Sequence, residues 1–354
     1  MSQLDESVSN NSSANTEKFM WANNLRAFST IAVIMLHVAS TISAEYPSIR
    51  PSYFITSIFL DSSVRWCVPV FIMLSGSFAL ENYDNNMKAF LLKMFWRIIV
   101  PFIFWSIVYL FFFSADELIA SPGIGKLLSF VGKQFLTGTA SHLWFVYVII
   151  SMYITFPFLS KWTKSATEKE YGLFIMIWLI FLVADPLLAP YDINFSYTFF
   201  TGFIGYIVLG NYLFKTQRTY NLWLIIAGFT IAFLYTALRT YFLSSHKNET
   251  DEYFMDNLSL NVFVMSFCVY VFFKSVTIFN HPILQKIISL ICKYSYGIYL
   301  SHLLVLNIFL KLGLSFYFTH PLLSIPVITL ACVVISLGLL MLMKKIPGLK
   351  LVAG

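Results

Sequence analysis

Charged residues are scarce in this sequence: they make up 11% of the 354 residues, and Asp and Glu together number only 17. Hydrophobic residues make up 58%, aromatic residues 18%, and the mean hydropathy is +0.75. The core of a soluble domain cannot bury this much apolar surface, and soluble domains carry about 25% charged residues. The composition therefore excludes a soluble protein and predicts a polytopic protein whose main partner is the lipid bilayer. The net charge of +6 is then explained by membrane topology and requires no nucleic-acid partner.

Cysteines and metal-binding motifs are also scarce. The four cysteines, Cys67, Cys268, Cys292 and Cys332, fall in apolar segments without a C-x-x-C spacing, which is typical of small buried side chains. The apolar segments contain neither an H-x-x-x-H nor an H-E-x-x-H spacing, and they hold few carboxylates. We therefore expect no metal cofactor, with a metal site at the histidines of the apolar segments as a minor alternative.

The N-terminus lacks the apolar run of a signal peptide. Residues 1–18 are polar and rich in Ser and Asn, which predicts a disordered cytoplasmic tail. Residues 19–346 form the predicted integral-membrane domain, and residues 347–354 form a short cytoplasmic tail. We see no internal repeat and expect no appended soluble domain.

Ten segments are long and apolar enough to cross a bilayer, which takes about 20 residues of helix. They are residues 21–43, 64–82, 92–113, 142–160, 171–189, 197–214, 221–243, 258–276, 287–310 and 321–343. The sequence thus predicts an all-α polytopic membrane protein with about ten transmembrane helices. The longest outer connection, residues 114–141, is predicted to hold a short interfacial helix.

Basic residues are distributed unevenly between the predicted loops. With the N-terminus inside, fifteen of the 23 Lys and Arg residues lie on the inner side and seven on the outer side, with Arg26 counted on neither. The cytoplasmic loops of membrane proteins carry such an excess. We therefore expect both termini to be cytoplasmic.

Two ionisable residues lie in the first predicted span. Arg26 precedes a run of apolar and small residues, 29–43, that holds His37 well inside it. Eleven residues of α-helix rise about 16.5 Å and make three turns plus about 20°, so the two side chains share one stripe at two depths. Ionisable groups inside a bilayer are costly and usually functional. The pair indicates a site, although singly Arg26 could be a headgroup anchor and His37 a buried histidine with satisfied hydrogen bonds.

Further cations and histidines enter other spans. Lys93 and Arg97, four residues apart at the inner end of the third span, share a helix face that can bind phosphate. An ordinary inner-side anchor is the alternative. His142 begins the fourth span on the outer side, and helical rise places His302 about 21 Å from the inner end of the ninth, near the level of His37. Three histidines are therefore predicted in the outer half, with helix capping as the alternative for His142.

Six stretches of the sequence form a pattern in a fixed order. They are Asn24-Leu25-Arg26 followed by His37, Val68 to Gly76, Arg97 to Pro101, His142 to Tyr147, Gly205 to Gly210, and Tyr296 to His302. Together these stretches resemble acyltransferase family 3, the membrane-bound O-acyltransferases of bacterial surface polysaccharides. Two positions differ from the common pattern: Asn23 stands where many relatives carry Asp, and the basic pair of the third span is Lys93 with Arg97. The chain resembles the form of the family without an appended esterase-like domain.

The resemblance implies an O-acyltransferase of the bacterial inner membrane. Its expected donor is cytoplasmic acyl-CoA, above all acetyl-CoA, and its expected acceptor is a hydroxyl of a cell-surface glycan or of an undecaprenyl-linked oligosaccharide. Such a transfer needs a base, donors for the oxyanion and cations for the cofactor phosphates. His37 is the expected base or acyl relay, and Arg26 is expected to act in both catalysis and cofactor binding. The other expected cofactor ligands are Arg97 and Lys93, and the expected acceptor-binding residues are Ser75, His142, Trp144, Ser301 and His302.

Two other functions agree with intramembrane Arg and His in a polytopic protein. One is a secondary transporter or flippase of a glycan or solute, with His37 as a proton relay. The lack of paired half-repeats, and of an Asp or Glu inside the spans that could carry the coupling, argues against it. The other is an inert scaffold of a polysaccharide assembly complex. Transfer of label from acetyl-CoA by the purified protein distinguishes an enzyme from both.

Cysteine labelling tests the predicted orientation. A thiol introduced at Thr167, in a predicted inner loop, should be shielded from a membrane-impermeant reagent in whole cells, whereas one at Asn248, in a predicted outer loop, should react. The protein with only its native cysteines, all predicted within apolar segments, is the control. Labelling at Thr167 but not at Asn248 would reverse the orientation and place Arg26 on the outer side.

Overall fold

The computed structural model describes residues 19–120, 123–188, 202–276, 278–314 and 316–353, which form helices and turns without a β-strand. In chain order the α-helices are α1 Met20–Ser43, α2 Pro51–Val64, α3 Cys67–Ala79, α4 Met87–Met94, α5 Val100–Ala120, α6 Ile124–Thr137, α7 Trp144–Ser165, α8 Glu168–Leu188, α9 Ile204–Lys215, α10 Leu222–Lys247, α11 Leu260–Ser275, α12 Pro282–Lys311 and α13 Pro321–Met343. The all-α prediction is confirmed, and the predicted tail 1–18 lies outside the described residues.

Eight helical stretches of the described chain are long and apolar enough to cross a membrane. They are Met20–Ser43, Pro51–Ala79, Met87–Ala115, Ser141–Ser165, Leu222–Lys247, Tyr253–Ser275, Pro282–Lys311 and Pro321–Met343. They match eight of the ten predicted spans, and the protein is a polytopic membrane protein. The other two predictions, 171–189 and 197–214, overlap α8 and α9 but lie partly outside the described residues. The helix predicted within 114–141 is present as α6.

The second span begins earlier than the predicted residues 64–82, because α2 precedes them. Helix α2 ends before Arg65 because Pro69 has no N–H for the Arg65 carbonyl, and its ring would crowd that carbonyl in a continuous helix. The indole of Trp66 donates to the Ser63 carbonyl at 2.8 Å and satisfies one of the last carbonyls of α2. The chain therefore bends at Arg65, within the span.

Helix α1 lies at the centre of the bundle. It contacts α2, α3, α11, α12 and α13, and Leu25, Ile34, Val38 and Ile42 along its length are fully buried. Its 24 residues extend about 36 Å at 1.5 Å per residue. The helix therefore carries side chains at both membrane levels through the middle of the protein.

The C-terminal segment turns back into the bundle. The Val352 carbonyl accepts a hydrogen bond from the indole of Trp105 in α5 at 3.1 Å. Gly297 of α12 allows this approach, since a Cβ there would lie 2.3 Å from the Ala353 carbonyl oxygen. Val352 and Ala353 of the predicted tail 347–354 are thus packed between α5 and α12.

Helices α3 and α9 pack backbone to backbone. A Cβ at Gly76 would lie 2.2 Å from the Ile207 carbonyl oxygen, and one at Gly210 would lie 2.1 Å from the Met73 carbonyl oxygen. The Ser77 hydroxyl donates across the same contact to the Gly210 carbonyl at 2.9 Å. Small residues allow membrane helices to approach so closely, and the resulting van der Waals contacts and hydrogen bonds drive their association.

Gly76→Ala should therefore destabilise the contact between α3 and α9. The added methyl group meets main-chain atoms, which cannot move aside singly, so we expect less protein in the membrane and a lower melting temperature in detergent. Gly338→Ala is the matched control, because a Cβ at Gly338 in α13 meets no heavy atom within 4 Å. Equal melting temperatures for the two variants would contradict the close contact.

Candidate functional site

Three histidine rings from separate helices meet in one half of the bundle. His37 comes from α1, His142 from the 3-10 turn Ser141–Leu143 before α7, and His302 from α12. The ring centroids lie 5.1 Å apart for His37 and His302, 5.0 Å for His142 and His302, and 6.3 Å for His37 and His142. His142 and His302 are buried, and His37 is half-buried. The structure thus brings together the three histidines that the sequence predicts in the outer half.

A hydrogen bond fixes the orientation of His302. Its Nδ1 lies 2.6 Å from the carbonyl oxygen of Tyr299, one turn earlier in α12. Because a carbonyl can only accept, we assign the proton to Nδ1, which leaves Nε2 as an acceptor. Nε2 is buried and has no hydrogen-bond partner among the described residues. A buried polar atom without a partner is costly, so this nitrogen marks a place where a ligand hydroxyl would be stabilised.

His142 is held by its main chain rather than by its ring. The hydroxyl of Tyr299 donates to the His142 carbonyl, and the ring packs against Tyr109 and Tyr299 with centroids at 5.2 Å and 5.4 Å. Neither ring nitrogen makes a hydrogen bond of normal geometry within the described part of the chain. The ring is therefore positioned by packing, with its nitrogens available to a ligand.

A tyrosine from α5 hydrogen-bonds to the main chain of α12 beside His302. The Tyr109 hydroxyl donates to the Leu300 carbonyl at 2.8 Å and accepts from the Leu304 amide at 3.1 Å. A regular α-helix joins these two groups directly, so the hydroxyl bridges one step of the helical hydrogen-bond ladder. This bridge holds α5 against α12 at the level of the histidines.

A cavity of about 220 Å³ opens onto the histidines. His37, His142 and Tyr299 form part of its wall, and the ring of Trp144, 40% exposed, forms another part. The other polar lining residues are Ser40, Arg65, Ser141, Glu252 and Asn257. The cavity thus combines an aromatic surface with hydrogen-bonding groups.

One lining residue of this cavity, Arg65, belongs to a buried ion pair. Arg65 donates from Nε to Oδ1 of Asp61 at 2.7 Å and from Nη2 to Oδ2 at 2.5 Å. Asp61 is fully buried and Arg65 is 8% exposed. Nη2 of Arg65 also lies 3.5 Å from Oε1 of Glu252. The expectation that no such carboxylate lies inside a span is wrong, because α2 brings Asp61 into the span Pro51–Ala79.

The loop between α10 and α11 supplies Glu252 and Asn257. Its position is fixed by Tyr206 of α9, whose hydroxyl donates to the Asn257 carbonyl at 2.8 Å. Asp251, next to Glu252, accepts a hydrogen bond from Lys247, and this bond holds the pKa of the Asp251 carboxyl below its usual range. The loop is therefore an ordered part of the site and presents acidic groups at the cavity.

Arg26 and Arg97 face one phenol nearer the other end of α1. Both guanidinium groups act electrostatically on Tyr153 of α7, and Arg26 also hydrogen-bonds with Cys292 of α12. Arg26 is half-buried and Arg97 is exposed. Two guanidinium groups beside a hydroxyl can bind phosphate through several charge-assisted hydrogen bonds.

Arg97 lies in a π-helical turn, Phe95–Ile99, between α4 and α5. Pro101 has no N–H to donate to the Arg97 carbonyl, and the Val100 amide bonds instead to the Phe95 carbonyl five residues earlier. Such turns inside helices are frequent at functional sites, because the additional residue redirects the neighbouring side chains.

Tyrosines of α12 connect the two levels. Tyr296 donates to the Ile98 carbonyl of the π-helical turn at 2.9 Å, and Tyr299, one turn further, donates to the His142 carbonyl. The two tyrosine rings lie 6.5 Å apart between centroids and are nearly parallel. Tyr296 also interacts electrostatically with Tyr153. A row of phenol groups thus runs from the arginines to the histidines.

Six of the predicted site residues are not part of the lining of the histidine cavity: Arg26, Arg97 and His302, placed above, and Lys93, Ser75 and Ser301. Lys93 is exposed on α4. The Ser75 hydroxyl bonds to the Phe71 carbonyl of its own helix at 2.9 Å, and the buried Ser301 hydroxyl bonds to the Ile298 carbonyl at 3.4 Å. Within the described ranges, no group of His, Cys, Asp and Glu residues is arranged to hold a metal ion.

A family model described as an acyltransferase domain matches residues 19–341, which are 323 of the 354 residues. The chain belongs to acyltransferase family 3. Its fold and its family together make it a membrane-bound acyltransferase. Comparisons with curated proteins and with solved structures gave no match.

The sequence analysis missed Asp61, Arg65 and Glu252 of this acyltransferase as site residues. Asp61 and Arg65 are an acidic and a basic residue four apart in a stretch of small and apolar residues. That spacing indicates an ion pair on one helix face and could have pointed to both residues. Glu252 had no such signal, because a loop residue reaches a cavity only through the fold.

Proposed function

We propose that this acyltransferase moves an acyl group, in the first instance acetyl, from acyl-CoA to a sugar hydroxyl. The acceptor is a cell-surface glycan or its undecaprenyl-linked precursor, and the location is the bacterial inner membrane with both termini cytoplasmic. The observation that carries the proposal is that α1 holds Arg26 in a cationic cluster and His37 in a histidine cluster. The donor phosphates thus bind at the level of Arg26 and the reacting hydroxyl at the level of His37, two levels of the same rigid helix.

The cationic cluster is the proposed site for the cofactor phosphates. Arg26 and Arg97 provide bidentate donors and both act electrostatically on Tyr153, and the exposed Lys93 of α4 adds attraction nearer to the solvent. The helical rise from Arg26 to His37 is about 16.5 Å. An extended pantetheine arm can span this distance along the row of tyrosines and bring the thioester to the histidines.

The histidine cavity is the proposed site for the acceptor sugar. His37 is half-buried, opens onto the cavity and makes no hydrogen bond through its ring within the described residues, so it can accept the hydroxyl proton. Nε2 of His302 and the ring of His142 are positioned to hold neighbouring hydroxyls. The partly exposed ring of Trp144 offers an apolar face for stacking against a sugar ring.

A proton-coupled transporter is the second candidate function. The observation that favours it is the buried Asp61–Arg65 pair, since ionisable groups inside membranes are frequent in proton relays. Membership of an acyltransferase family favours transfer instead. Purified protein given labelled acetyl-CoA separates the two, because only an enzyme moves label into the glycan fraction. Protein that becomes labelled without acceptor would indicate an acyl-histidine relay rather than direct attack.

His37→Ala should abolish acyl transfer while leaving protein abundance and acetyl-CoA binding nearly unchanged. A general base contributes about 10²–10⁴-fold to a rate and is not needed to bind the donor. His246→Ala, at an exposed histidine of α10, is the control and should transfer normally. Near-normal transfer of label to the glycan fraction by His37→Ala would remove His37 from the mechanism.

Arg26→Lys should weaken acetyl-CoA binding although it keeps the charge. An ammonium group cannot reproduce the planar, bidentate donors of a guanidinium, so we expect a loss of about tenfold in affinity. Arg218→Lys, at an exposed inner-side arginine paired with Glu168, is the matched control. Unchanged affinity of Arg26→Lys in a direct titration would show that Arg26 anchors the helix and does not bind the cofactor.

A further inference from the structure

The Asp61–Arg65 pair is the part of the histidine cavity that the proposed roles leave unexplained. Two charges buried in a membrane span are costly to desolvate, and such a pair is often no more stable than apolar side chains of similar size. Arg65 nevertheless lines the cavity, and the fully buried Asp61 holds its guanidinium there. Stability alone therefore does not account for its position.

The geometry of the pair leaves one edge of the guanidinium unused. The Asp61 carboxylate accepts hydrogen bonds from Nε and Nη2 of Arg65, and Oε1 of Glu252 lies 3.5 Å from the same Nη2. Nη1 makes no hydrogen bond within the part of the chain that the structure describes. Because Asp61 is fully buried and bonded at two points, it holds the guanidinium in one orientation and leaves Nη1 available to a ligand.

Arg65 and His37 are close enough to interact electrostatically and line the same cavity. A base and a fixed cation in one cavity are the two groups that acyl transfer requires: one takes the proton of the attacking hydroxyl, and the other meets the charge that develops on the carbonyl oxygen. A donor that is already oriented needs no reorganisation when that charge appears.

We propose that Arg65 is a catalytic residue that donates a hydrogen bond to the thioester carbonyl oxygen during attack, and that Asp61 is the positioning residue that aims it. This proposal rests on the function proposed above. The acceptor oxygen bonds to the carbonyl carbon while its proton passes to His37, and the carbonyl π electrons move to the oxygen beside Arg65. The electron pair then returns, the carbon–sulfur bond breaks, and the CoA thiolate leaves with the proton from His37.

An anionic acceptor group is the competing ligand for Arg65. Two carboxylates, Asp61 and Glu252, already surround the single guanidinium, so the pocket repels a permanent anion that approaches from solvent. A carbonyl oxygen arrives uncharged and gains negative charge only when it already lies within hydrogen-bond distance. A neutral carbonyl is therefore admitted to Nη1 without the repulsion that an anionic sugar meets, and its hydrogen bond strengthens as the oxygen gains charge.

The main variant of the test leaves no buried charge unpaired. Arg65→Gln alone would leave the buried Asp61 carboxylate without its partner, which can prevent folding. The main variant is therefore the double substitution Asp61→Asn with Arg65→Gln. Arg50→Gln, at an exposed arginine at the start of α2, is the matched control. Each purified protein receives labelled acetyl-CoA and the lipid-linked glycan fraction extracted from membranes of the parent strain. Turnover is measured against both concentrations, together with the melting temperature.

We expect the double variant to melt within a few degrees of the wild type and to retain its KM for acetyl-CoA. Its maximal turnover should fall about 10²–10³-fold, the loss typical when one oxyanion donor is removed. Arg65→Lys should recover part of that loss, since it restores a cation without the fixed fork. Asp61→Asn should lower turnover with an unchanged KM for acetyl-CoA, as expected of a residue that acts by orienting Arg65.

Two results would overturn the role of Arg65 without affecting the proposed function. One is turnover of the folded double variant within threefold of the wild type. The other is an unchanged maximal turnover with only a higher KM for the glycan. The second result would assign Arg65 to acceptor binding. No transfer of label by the wild-type protein would instead overturn the proposed function and this proposal with it.

Discussion

Hydrocarbon offers no hydrogen bonds, so each polar group within the membrane must find its partner inside the protein. Most of this molecule obeys that constraint closely. Asn211, fully buried in α9, accepts from Tyr171 at 2.5 Å and donates to Glu81 at 3.0 Å. The histidine cluster departs from it, since Nε2 of His302 and both ring nitrogens of His142 lack partners of normal geometry among the described residues. The His142 ring lines the cavity and the His302 ring packs against it, so a substrate bound there can complete the network.

The candidate site residues lie where helices are irregular. Arg65 is at the bend before Pro69, and Arg97 is in the π-helical turn before Pro101. His302 lies next to the step of α12 that the Tyr109 hydroxyl bridges. Each irregularity has a local cause, either a proline without an N–H or an inserted hydroxyl. Irregular helices therefore turn polar side chains toward the interior, where a regular apolar helix would present only packing surfaces.

Tight backbone contact and central placement keep these irregular segments in position. Helix α1 carries Arg26 and His37 through the middle of the bundle, and α12 joins the same two levels through Tyr296 and Tyr299. The α3–α9 contact at Gly76 and Gly210 fixes the span that continues from α2. A site assembled from five or more helices in this way depends on packing throughout the membrane domain, not on any one motif.

The amino-acid sequence alone determined that this is a polytopic membrane protein, where most of its spans lie, and that Arg26 and His37 lie at two depths of α1. It could do so because the length of an apolar run and the 3.6-residue helical period are local properties. It also named His37, His142 and His302, since a histidine in an apolar run is visible without a fold. Only the tertiary structure decided that their rings meet within about 6 Å, that Arg65, paired with Asp61, lines the same cavity as His37 and His142, and that Glu252 reaches it from a loop. Those relations join residues far apart in the chain, and the packing of helices rather than any local pattern sets the distances between them.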